Sequence, residues 1–310
     1  MAATLERRLH PMCSALIVMS VLLGCGGRGE PTIDQRVVVD DIGREVRVPV
    51  RPTRVVSLAP SITEVVFAAG AGDRLAAVTT SDNYPTAVAG IRQITAFPLD
   101  HEAIVALGPD LLLATDQINS VRDLDALSEV GIPAYFLRFT TADDVFLSIR
   151  IAGRLLGTEE RANRTADSLQ AIWNGYITSI DTISYIPSVL LLAGYDVLYA
   201  FGRDSYTNEI IRAAGGRSVT DALDGQAATL SEEFVLAAQP DVIVGTFGDD
   251  FDVDKIVAGH PTWASLPAAQ RGRVYSIDPD LISRPGPRII EGAKRIAEWV
   301  DGAKSTATAQ

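Results

Sequence analysis

Short apolar runs alternate with segments of helical periodicity along most of the chain. The runs have the length of buried β-strands, and the segments between them carry apolar residues every three or four positions, as amphipathic helices do. Strands that alternate with helices predict parallel sheets covered by helices, so we expect an α/β fold. The clearest strand candidates are RVVSL (54–58), LAAVTT (75–80), DLLLAT (110–115), PAYFL (133–137), SVLLLAG (188–194) and RVYSID (273–278).

Local signals refine this picture in the first half of the chain. Residues 36–50 alternate apolar and polar side chains, which predicts a β-hairpin that turns at Gly43. A helix is predicted to start at Pro60, and the segment Ser61 to Glu64 fits a capping box. Residues 81–98 are predicted to form a long polar loop.

A long helix is predicted near the middle of the chain, from a Thr158 cap to residue 180. At 1.5 Å per residue it would be about 35 Å long, enough to bridge two lobes. The predicted organisation is a signal peptide (1–24), a tether (25–35), an N-terminal α/β lobe (36–157), the bridging helix (158–181), a C-terminal α/β lobe (182–303) and a polar tail (304–310).

One phrase occurs twice, as DHEAIVALGPDLLLAT (100–115) and SEEFVLAAQPDVIVGT (231–246). Each copy has a capping residue, then a glutamate (Glu102 or Glu233), then Pro-Asp seven residues later. Two lobes of similar design explain the Pro-Asp and the apolar run. The glutamates also suit a helix N-terminus electrostatically, and side chains there project off the end of the helix. Lobes that lie side by side would present both carboxylates on one face, a geometry that suits paired arginines of a partner.

The N-terminus has the order of a secretory signal: Arg7 and Arg8, then the apolar run ALIVMSVLL (15–23), then Gly24-Cys25. This ending resembles a bacterial lipobox, which implies that Cys25 becomes the acylated first residue of an extracytoplasmic, lipid-anchored protein. Cys13 and Cys25 are the only cysteines, so the body has no disulfide and no cysteine zinc site. The net charge of −12 argues against nucleic-acid binding and against electrostatic adhesion to an anionic membrane.

In order along residues 36–303, the chain resembles the cobalamin and iron–siderophore substrate-binding proteins of ABC importers. The resemblance is carried by RVVSLAPSITEVVFAAGAGDRLAAVT, NYP, the two copies of the repeated phrase, HPTWASLPAAQRGRVYSID and SRPGPRIIEG. It implies two Rossmann-like α/β lobes joined by one long rigid helix, with the ligand held in the cleft between the lobes. It also implies that Glu102 and Glu233 pair with arginines of an ABC permease. We expect a monomer without a covalent cofactor.

The ligand implied by the resemblance is a corrinoid or a ferric siderophore, with haem or another metal chelate as the alternative. Positions that correspond to corrin-stacking aromatic residues of the family's vitamin B12 binder are here Ser81, Ala96, Tyr199 and Ala227, and only Tyr199 is aromatic. Siderophore binders use arginine and tyrosine against chelate oxygens. The ligand-binding candidates are therefore Tyr84, Phe97, Arg138, Tyr199, Arg203 and Arg284.

Three other classes stay open on the residues alone. An exported hydrolase with a carboxylate pair is compatible with the many acidic residues, although the chain has no G-x-S-x-G and no H-E-x-x-H motif. A binder of free zinc or manganese would have to rely on the two histidines outside the predicted signal peptide, His101 and His260, and we expect no metal site. A lipoprotein with a purely structural role is the third class.

Overall fold

The computed structural model describes residues 34–178, 185–248 and 250–307. The predicted signal peptide, its lipobox cysteine Cys25 and most of the tether lie outside the described residues. The strands in the described part are β1 (Gln35–Val39), β2 (Glu45–Pro49), β3 (Val55–Ser57), β4 (Leu75–Thr79), β5 (Arg92–Ile94), β6 (Leu111–Ala114), β7 (Ala134–Phe136), β8 (Ser188–Gly194), β9 (Tyr199–Phe201), β10 (Arg217–Ser218), β11 (Ala227–Thr229), β12 (Val242–Gly245) and β13 (Val274–Ser276).

The α-helices of the same residues lie mostly between the strands, as the alternation predicts. None of them is long and apolar enough to cross a lipid bilayer. They are α1 (Pro60–Ala68), α2 (His101–Leu107), α3 (Val121–Glu129), α4 (Ala142–Leu156), α5 (Glu159–Thr178), α6 (Tyr206–Ala213), α7 (Glu232–Ala238), α8 (Val253–Gly259), α9 (Pro267–Gln270) and α10 (Ile289–Ala307).

The N-terminal lobe contains a five-stranded parallel sheet in the order β5-β4-β3-β6-β7. Its central strands β3 and β6 are buried along their whole length, which is why they read as continuous apolar runs. Strand β5 lies inside the segment 81–98, so the prediction of a loop there was wrong. Two of its three residues are exposed at the edge of the sheet, and such a strand leaves no apolar run in the sequence.

The C-terminal lobe contains a mixed sheet in the order β11-β9-β8-β12-β13, with β10 also paired to β8. Strands β8, β12 and β13 are parallel, whereas β9 runs antiparallel to both β8 and β11. The α/β class is therefore confirmed. The two lobes differ in that only the C-terminal sheet carries an antiparallel edge.

Helix α5 follows α4 directly and packs against it, and one continuous apolar cluster runs through both lobes. Members of this cluster come from α1 and α4 of the first lobe, from α5, and from α6, β8 and α10 of the second lobe. Trp173 of α5 meets Phe146 of α4 edge to face, with the ring centroids 6.5 Å apart. Because the lobes share one close-packed core, independent movement of either lobe would break apolar contacts.

Two predicted caps are wrong. Helix α1 starts one residue before Ser61, with Ala59 at the N-cap and no side-chain cap, and Glu64 points to the other lobe instead. The hydroxyl of Thr158 is buried and has no hydrogen-bond partner in the described residues, although the Thr158 carbonyl accepts from Ala162 at 3.0 Å. The hairpin prediction is confirmed, with Gly43 at φ 89° in the turn between β1 and β2.

Candidate functional site

A cleft of about 420 Å³ lies between the lobes, where loops that follow strands of both sheets meet. Ser61 follows β3 and Gln117 follows β6, while Ser283 belongs to the loop that follows β13. Ligands of open α/β sheets bind at this carboxyl edge of the strands. The residues that line the cleft are Pro60, Ser61, Gln117, Ile118, Tyr199, Phe201, Ser205, Tyr206, Gln226, Ala227, Ser283, Arg284 and Pro285.

A polar bridge between the lobes borders this cleft. The Arg284 Nη1 donates to the Asn83 side-chain oxygen at 2.6 Å, and Nη2 donates to the Ser81 carbonyl at 3.1 Å. The Asn83 amide nitrogen donates to Asp280 at 2.8 Å. Asn83 and Asp280 also line a second hollow, of about 570 Å³, together with Gly248 and the residues from Ser276 to Pro279. The bridge is therefore a shared wall of two hollows.

Next to this bridge, a buried ion pair joins the lobes. Glu64 on α1 accepts from Arg288 Nε at 3.0 Å and from Arg288 Nη2 at 2.6 Å, although 224 residues separate them. Only 3% of Glu64 is exposed. The Arg288 guanidinium also lies 4.3 Å from the ring centroid of Tyr84. Burial raises the pKa of Glu64, and the hydrogen bonds and charge of Arg288 oppose that rise.

The C-terminal lobe makes a second contact of this kind in the reverse direction. Glu209 on α6 accepts a hydrogen bond from the backbone nitrogen of Ala142, the first residue of α4, at 2.8 Å. Burial raises the pKa of Glu209, and the Ala142 N–H and the charge of Arg212 oppose the rise. Each lobe therefore sends one glutamate from its first helix into the other lobe.

The structure brings part of the predicted ligand set together. Tyr199, Ala227 and Arg284 line the cleft. Tyr84 does not line the cleft; it is 44% exposed, and the Arg288 guanidinium lies over its ring. Phe97 is 82% exposed and borders a small hollow whose wall includes Ala96 and Ile118, and Ile118 also lines the cleft.

The other two predicted arginines do not line the cleft. Arg203 is held by its own loop, with Nε donating to the Asp221 carbonyl at 2.9 Å and Nη2 lying 2.7 Å from Asp224. Arg138 is exposed in the segment that follows β7, and its backbone N–H donates to Asp41 at 3.1 Å. Both residues remain candidates only.

Sequence reasoning missed much of the cleft lining, above all Gln117, Ile118 and Gln226. The Gln117 amide NH₂ donates to the Phe139 carbonyl at 2.8 Å, and Gln226 is exposed immediately before β11. Neutral side chains in irregular segments leave no periodic signal. The position of Gln117 and Ile118 directly after a predicted strand was the one available clue.

The two copies of the repeated phrase fold alike. Asp100 caps α2 by accepting from Ala103 N at 2.9 Å, and Ser231 caps α7 by accepting from Phe234 N at 3.2 Å. Glu102 and Glu233 are exposed in the first turns of these helices. A short connection leads α2 into β6 and α7 into β12, and each helix runs antiparallel to the strand that follows it. The N-terminus of each helix therefore lies towards the carboxyl edge of its sheet. Hydrogen bonds from its own N–H and from Ser231 lower the pKa of Glu233.

The aspartate of each Pro-Asp pair holds the start of the neighbouring strand. Asp110 accepts from the backbone nitrogens of Thr53 at 2.7 Å and Arg54 at 3.0 Å, ahead of β3. Asp241 accepts from the Ser188 backbone nitrogen at 2.9 Å and from the Ser188 hydroxyl at 2.7 Å, at the start of β8. This part of the repeat is structural.

The C-terminal copy has a brace that involves Glu232, the residue before Glu233. Glu232 Oε1 lies 2.5 Å from His260 Nδ1, and Oε2 accepts from Thr262 at 2.7 Å and from Trp263 Nε1 at 3.1 Å. The His260 ring stacks on Trp263 with centroids 4.4 Å apart. Burial would raise the pKa of Glu232, but these hydrogen bonds outweigh it and lower the pKa.

The two candidate metal-binding histidines, His101 and His260, have different contacts. His101 Nδ1 lies 3.1 Å from the Leu99 carbonyl at the start of α2, whereas His260 belongs to the brace. In the described part of the chain, no cluster of three or more histidine, cysteine, aspartate or glutamate side chains is placed to hold a metal ion.

Comparisons with known proteins agree with this architecture. The profile of the periplasmic binding protein family matches residues 55–281, and the chain belongs to that family. The uncharacterized ABC transporter substrate-binding lipoprotein YvrC of Bacillus subtilis (strain 168) is 29% identical over 311 residues, which are 96% of this chain and 98% of that protein. The vitamin B12-binding protein of Pectobacterium carotovorum subsp. carotovorum (strain PC1) is 30% identical over 247 residues, 79% of this chain and 87% of that protein.

Among solved structures, the periplasmic heme-binding protein RhuT from Roseiflexus sp. RS-1 in its apo form has a TM-score of 0.72 and 28% sequence identity. The match covers 81% of this chain and 98% of that chain. The chain is thus an extracytoplasmic substrate-binding component of the ABC importer type, which binds a small molecule and delivers it to a permease. The predicted family and fold are confirmed, and the alternative of a hydrolase is wrong.

Proposed function

We propose that this protein is a lipid-anchored receptor that delivers a corrinoid or a ferric siderophore to an ABC permease, with haem as the alternative ligand. The observation that carries the proposal is the cleft between the lobes, which is bounded by loops that follow strands of both sheets. Relatives named for vitamin B12 and for heme support a metal chelate as the ligand class. We keep Tyr84, Phe97, Arg138, Tyr199, Arg203 and Arg284 as candidate ligand contacts, and Tyr199 and Arg284 have the strongest support.

The shared core supports binding with little lobe movement. The ion pair of Glu64 and Arg288 and the hydrogen bond from Ala142 to Glu209 tie the lobes at two further places. A cleft that is already formed loses little conformational freedom when a ligand enters. We therefore expect a monomer that presents nearly the same surface to the permease with and without ligand.

Glu102 and Glu233 are the proposed contacts with permease arginines. Each is exposed, stands on a capped helix and lies towards the carboxyl edge of its sheet, where the cleft opens. A charge pair that is desolvated on docking contributes more to recognition than one in free solution.

Lipid attachment through Cys25 is the third part of the proposal. The lipobox-like ending of the signal and the lipoprotein name of the relative that spans 96% of this chain support it. Cys25→Ser should give a protein that is not acylated and is released from membranes. A Cys25→Ser protein that fractionates with membranes like the parent would contradict the anchor.

The experiment that tests the transport role compares Glu102→Ala, Glu233→Ala and the double variant. We expect each single change to reduce ligand uptake by cells and the double change to reduce it further, because each lobe supplies one docking carboxylate. Ligand affinity of the purified proteins should stay at the wild-type value. Glu129→Ala is the matched control, since Glu129 is an exposed glutamate at the opposite end of a helix in the N-terminal lobe. A fall in affinity that matches the fall in uptake would place these carboxylates at the ligand instead.

A further inference from the structure

The arginines at the cleft are already paired with carboxylates of this chain. Among the described residues, Arg284 is the one charged residue that lines the 420 Å³ cleft, and its Nε lies 2.9 Å from Asp280. Its two Nη atoms donate to Asn83 and Ser81, so three of its five N–H groups are used and its charge is offset by Asp280. The remaining N–H groups can still donate to a neutral acceptor, but a ligand carboxylate would have to share the guanidinium charge with Asp280.

The neighbouring arginines give the same result. Arg288 is committed to the buried Glu64, and Arg203 lies outside the cleft lining with Asp224 at 2.7 Å. Arg138 has no ion pair with a described residue, but it is not part of the lining either. Negative charge is in fact present next to the cleft, because Asp278 and Asp280 line the second hollow.

The remaining lining is apolar or neutral. Ile118 and Phe201 offer apolar surface, and Tyr199 is 43% exposed. Gln226 is exposed, and Gln117 uses only its amide nitrogen in the contact with Phe139, which leaves its amide oxygen available. Such a surface suits a ligand with an apolar face and neutral hydrogen-bonding groups. An anion that enters it loses its hydration without gaining an unpaired cation, and the protein's net charge of −12 repels it further.

We propose that the cleft selects metal chelates without net negative charge and holds them by apolar contact and by hydrogen bonds to neutral side chains. This inference rests on the proposed function, the binding of a metal chelate. Corrinoids, whose rims carry carboxamides, and neutral ferric hydroxamates share this chemistry. Haem with two propionates and ferric tris-catecholates with their negative charge do not.

Titration calorimetry of the purified protein with cyanocobalamin, a neutral ferric hydroxamate, haemin and a ferric tris-catecholate tests the proposal. We expect cyanocobalamin or the hydroxamate to bind about 100-fold more tightly than either anionic chelate. Comparison of these two neutral probes shows whether the ligand is a corrinoid or a hydroxamate siderophore. Tighter binding of haemin or the catecholate would overturn this inference and leave the proposed function standing. Silence with all four probes would overturn the proposed function itself.

Two variants test the cause of the selectivity. Asp280→Asn removes the carboxylate opposite Arg284 but keeps an acceptor for Asn83, and it should raise the ratio of anionic to neutral chelate affinity by about 10-fold. Gln226→Arg adds an unpaired cation at an exposed lining position and should move the ratio in the same direction, even if the Asp280 variant folds poorly. Glu298→Gln, which frees the exposed Arg295 on α10 outside the cleft lining, is the control and should leave the ratio unchanged. A ratio unaffected by Gln226→Arg would overturn the inference.

Discussion

The two lobes repeat one design and then complete it differently. Each has a first helix that sends a glutamate into the other lobe, an aspartate that holds the start of a central strand, and a capped helix with an exposed glutamate. In the N-terminal lobe the crossing glutamate, Glu64, pairs with a guanidinium, whereas Glu209 of the C-terminal lobe accepts a hydrogen bond from a backbone N–H. The strand-holding aspartate is half-buried in the first lobe (Asp110) and buried in the second (Asp241).

These differences show that a repeated sequence pattern determines where a side chain lies more than how much it contributes to the free energy of unfolding. Equivalent side chains stand at equivalent places, but their contribution to stability depends on burial and on the partner that the other lobe supplies. The following substitutions test each pair of equivalents, because a purely structural duplication would give equal effects in the two lobes.

The largest contrast is expected at the crossing glutamates, beginning with Glu64→Gln. This change leaves the Arg288 charge buried without its bidentate partner, so we expect the free energy of unfolding to fall by about 3 kcal/mol. Urea denaturation followed by circular dichroism measures it. The double variant Glu64→Leu with Arg288→Met is the control, and it should recover much of the loss because a buried ion pair can be replaced by apolar side chains. If the double variant loses as much stability as Glu64→Leu alone and Arg288→Met alone added together, the two residues are not a coupled pair.

The same glutamate marks the limit of what the sequence could predict. Ser61 to Glu64 has the local pattern of a capping box, but a partner 224 residues away determines the position of the Glu64 side chain. Long-range pairing of this kind leaves no signal within a single sequence. The buried strands β3, β6 and β8 were predictable, because burial on both faces requires continuous apolar runs.

Short edge elements and the cleft lining were less accessible to prediction. Strands β5 and β10 contain exposed polar residues and depend on a neighbouring strand rather than on their own pattern. The repeated phrase identified helices α2 and α7 with their caps, because the capping signal is local. Gln117 and Gln226 belong to the cleft only through the folding of the two sheets, so no motif could have identified them.

The next contrast is between the strand-holding aspartates. Asp241→Ala should lower the free energy of unfolding by about 2 kcal/mol, since it leaves the buried Ser188 N–H and hydroxyl without an acceptor. Asp110→Ala should cost about 1 kcal/mol, because its partners are exposed and water can replace the carboxylate. Equal losses would show that burial does not separate the two copies.

The pH dependence sharpens this second prediction. Burial would raise the pKa of Asp241, but hydrogen bonds from Tyr185 and Ser188 outweigh it and lower the pKa. A lowered folded-state pKa contributes stability above the ordinary carboxyl pKa, and that contribution disappears as the pH falls through the lowered value. The stability difference between wild type and Asp241→Ala should therefore shrink in acid and stay constant above about pH 5.

A smaller effect is expected at the brace that only the C-terminal copy possesses. Glu232→Ala removes the acceptor of Thr262 and Trp263 and the contact with His260, and we expect a loss of about 1 kcal/mol. Ligand affinity should not change, whereas uptake should fall mildly because Glu233 is the next residue of the same helix. His101→Ala in the N-terminal copy is the matched comparison, since within the described residues the His101 ring has a single polar partner, the Leu99 carbonyl. Equal losses of stability would show that the brace adds nothing.

The smallest effect, and a reversal of the Glu64 result, is expected for Glu209→Gln. The glutamine oxygen can still accept from the Ala142 N–H, and no buried cation loses its partner, so the free energy of unfolding at pH 7 should change by less than about 0.5 kcal/mol.

The sign of the pH dependence of Glu209→Gln follows from burial, which raises the pKa of Glu209 in the folded protein. A carboxyl with a raised folded-state pKa binds its proton more tightly in the folded state, so wild-type stability falls as the pH rises from the ordinary value through the raised one. The glutamine cannot titrate and lacks this decline. Its stability relative to wild type should therefore increase between about pH 4 and pH 7 in thermal melts, and a relative decrease would mean that the Glu209 carboxylate stabilises the junction between the lobes as an ion.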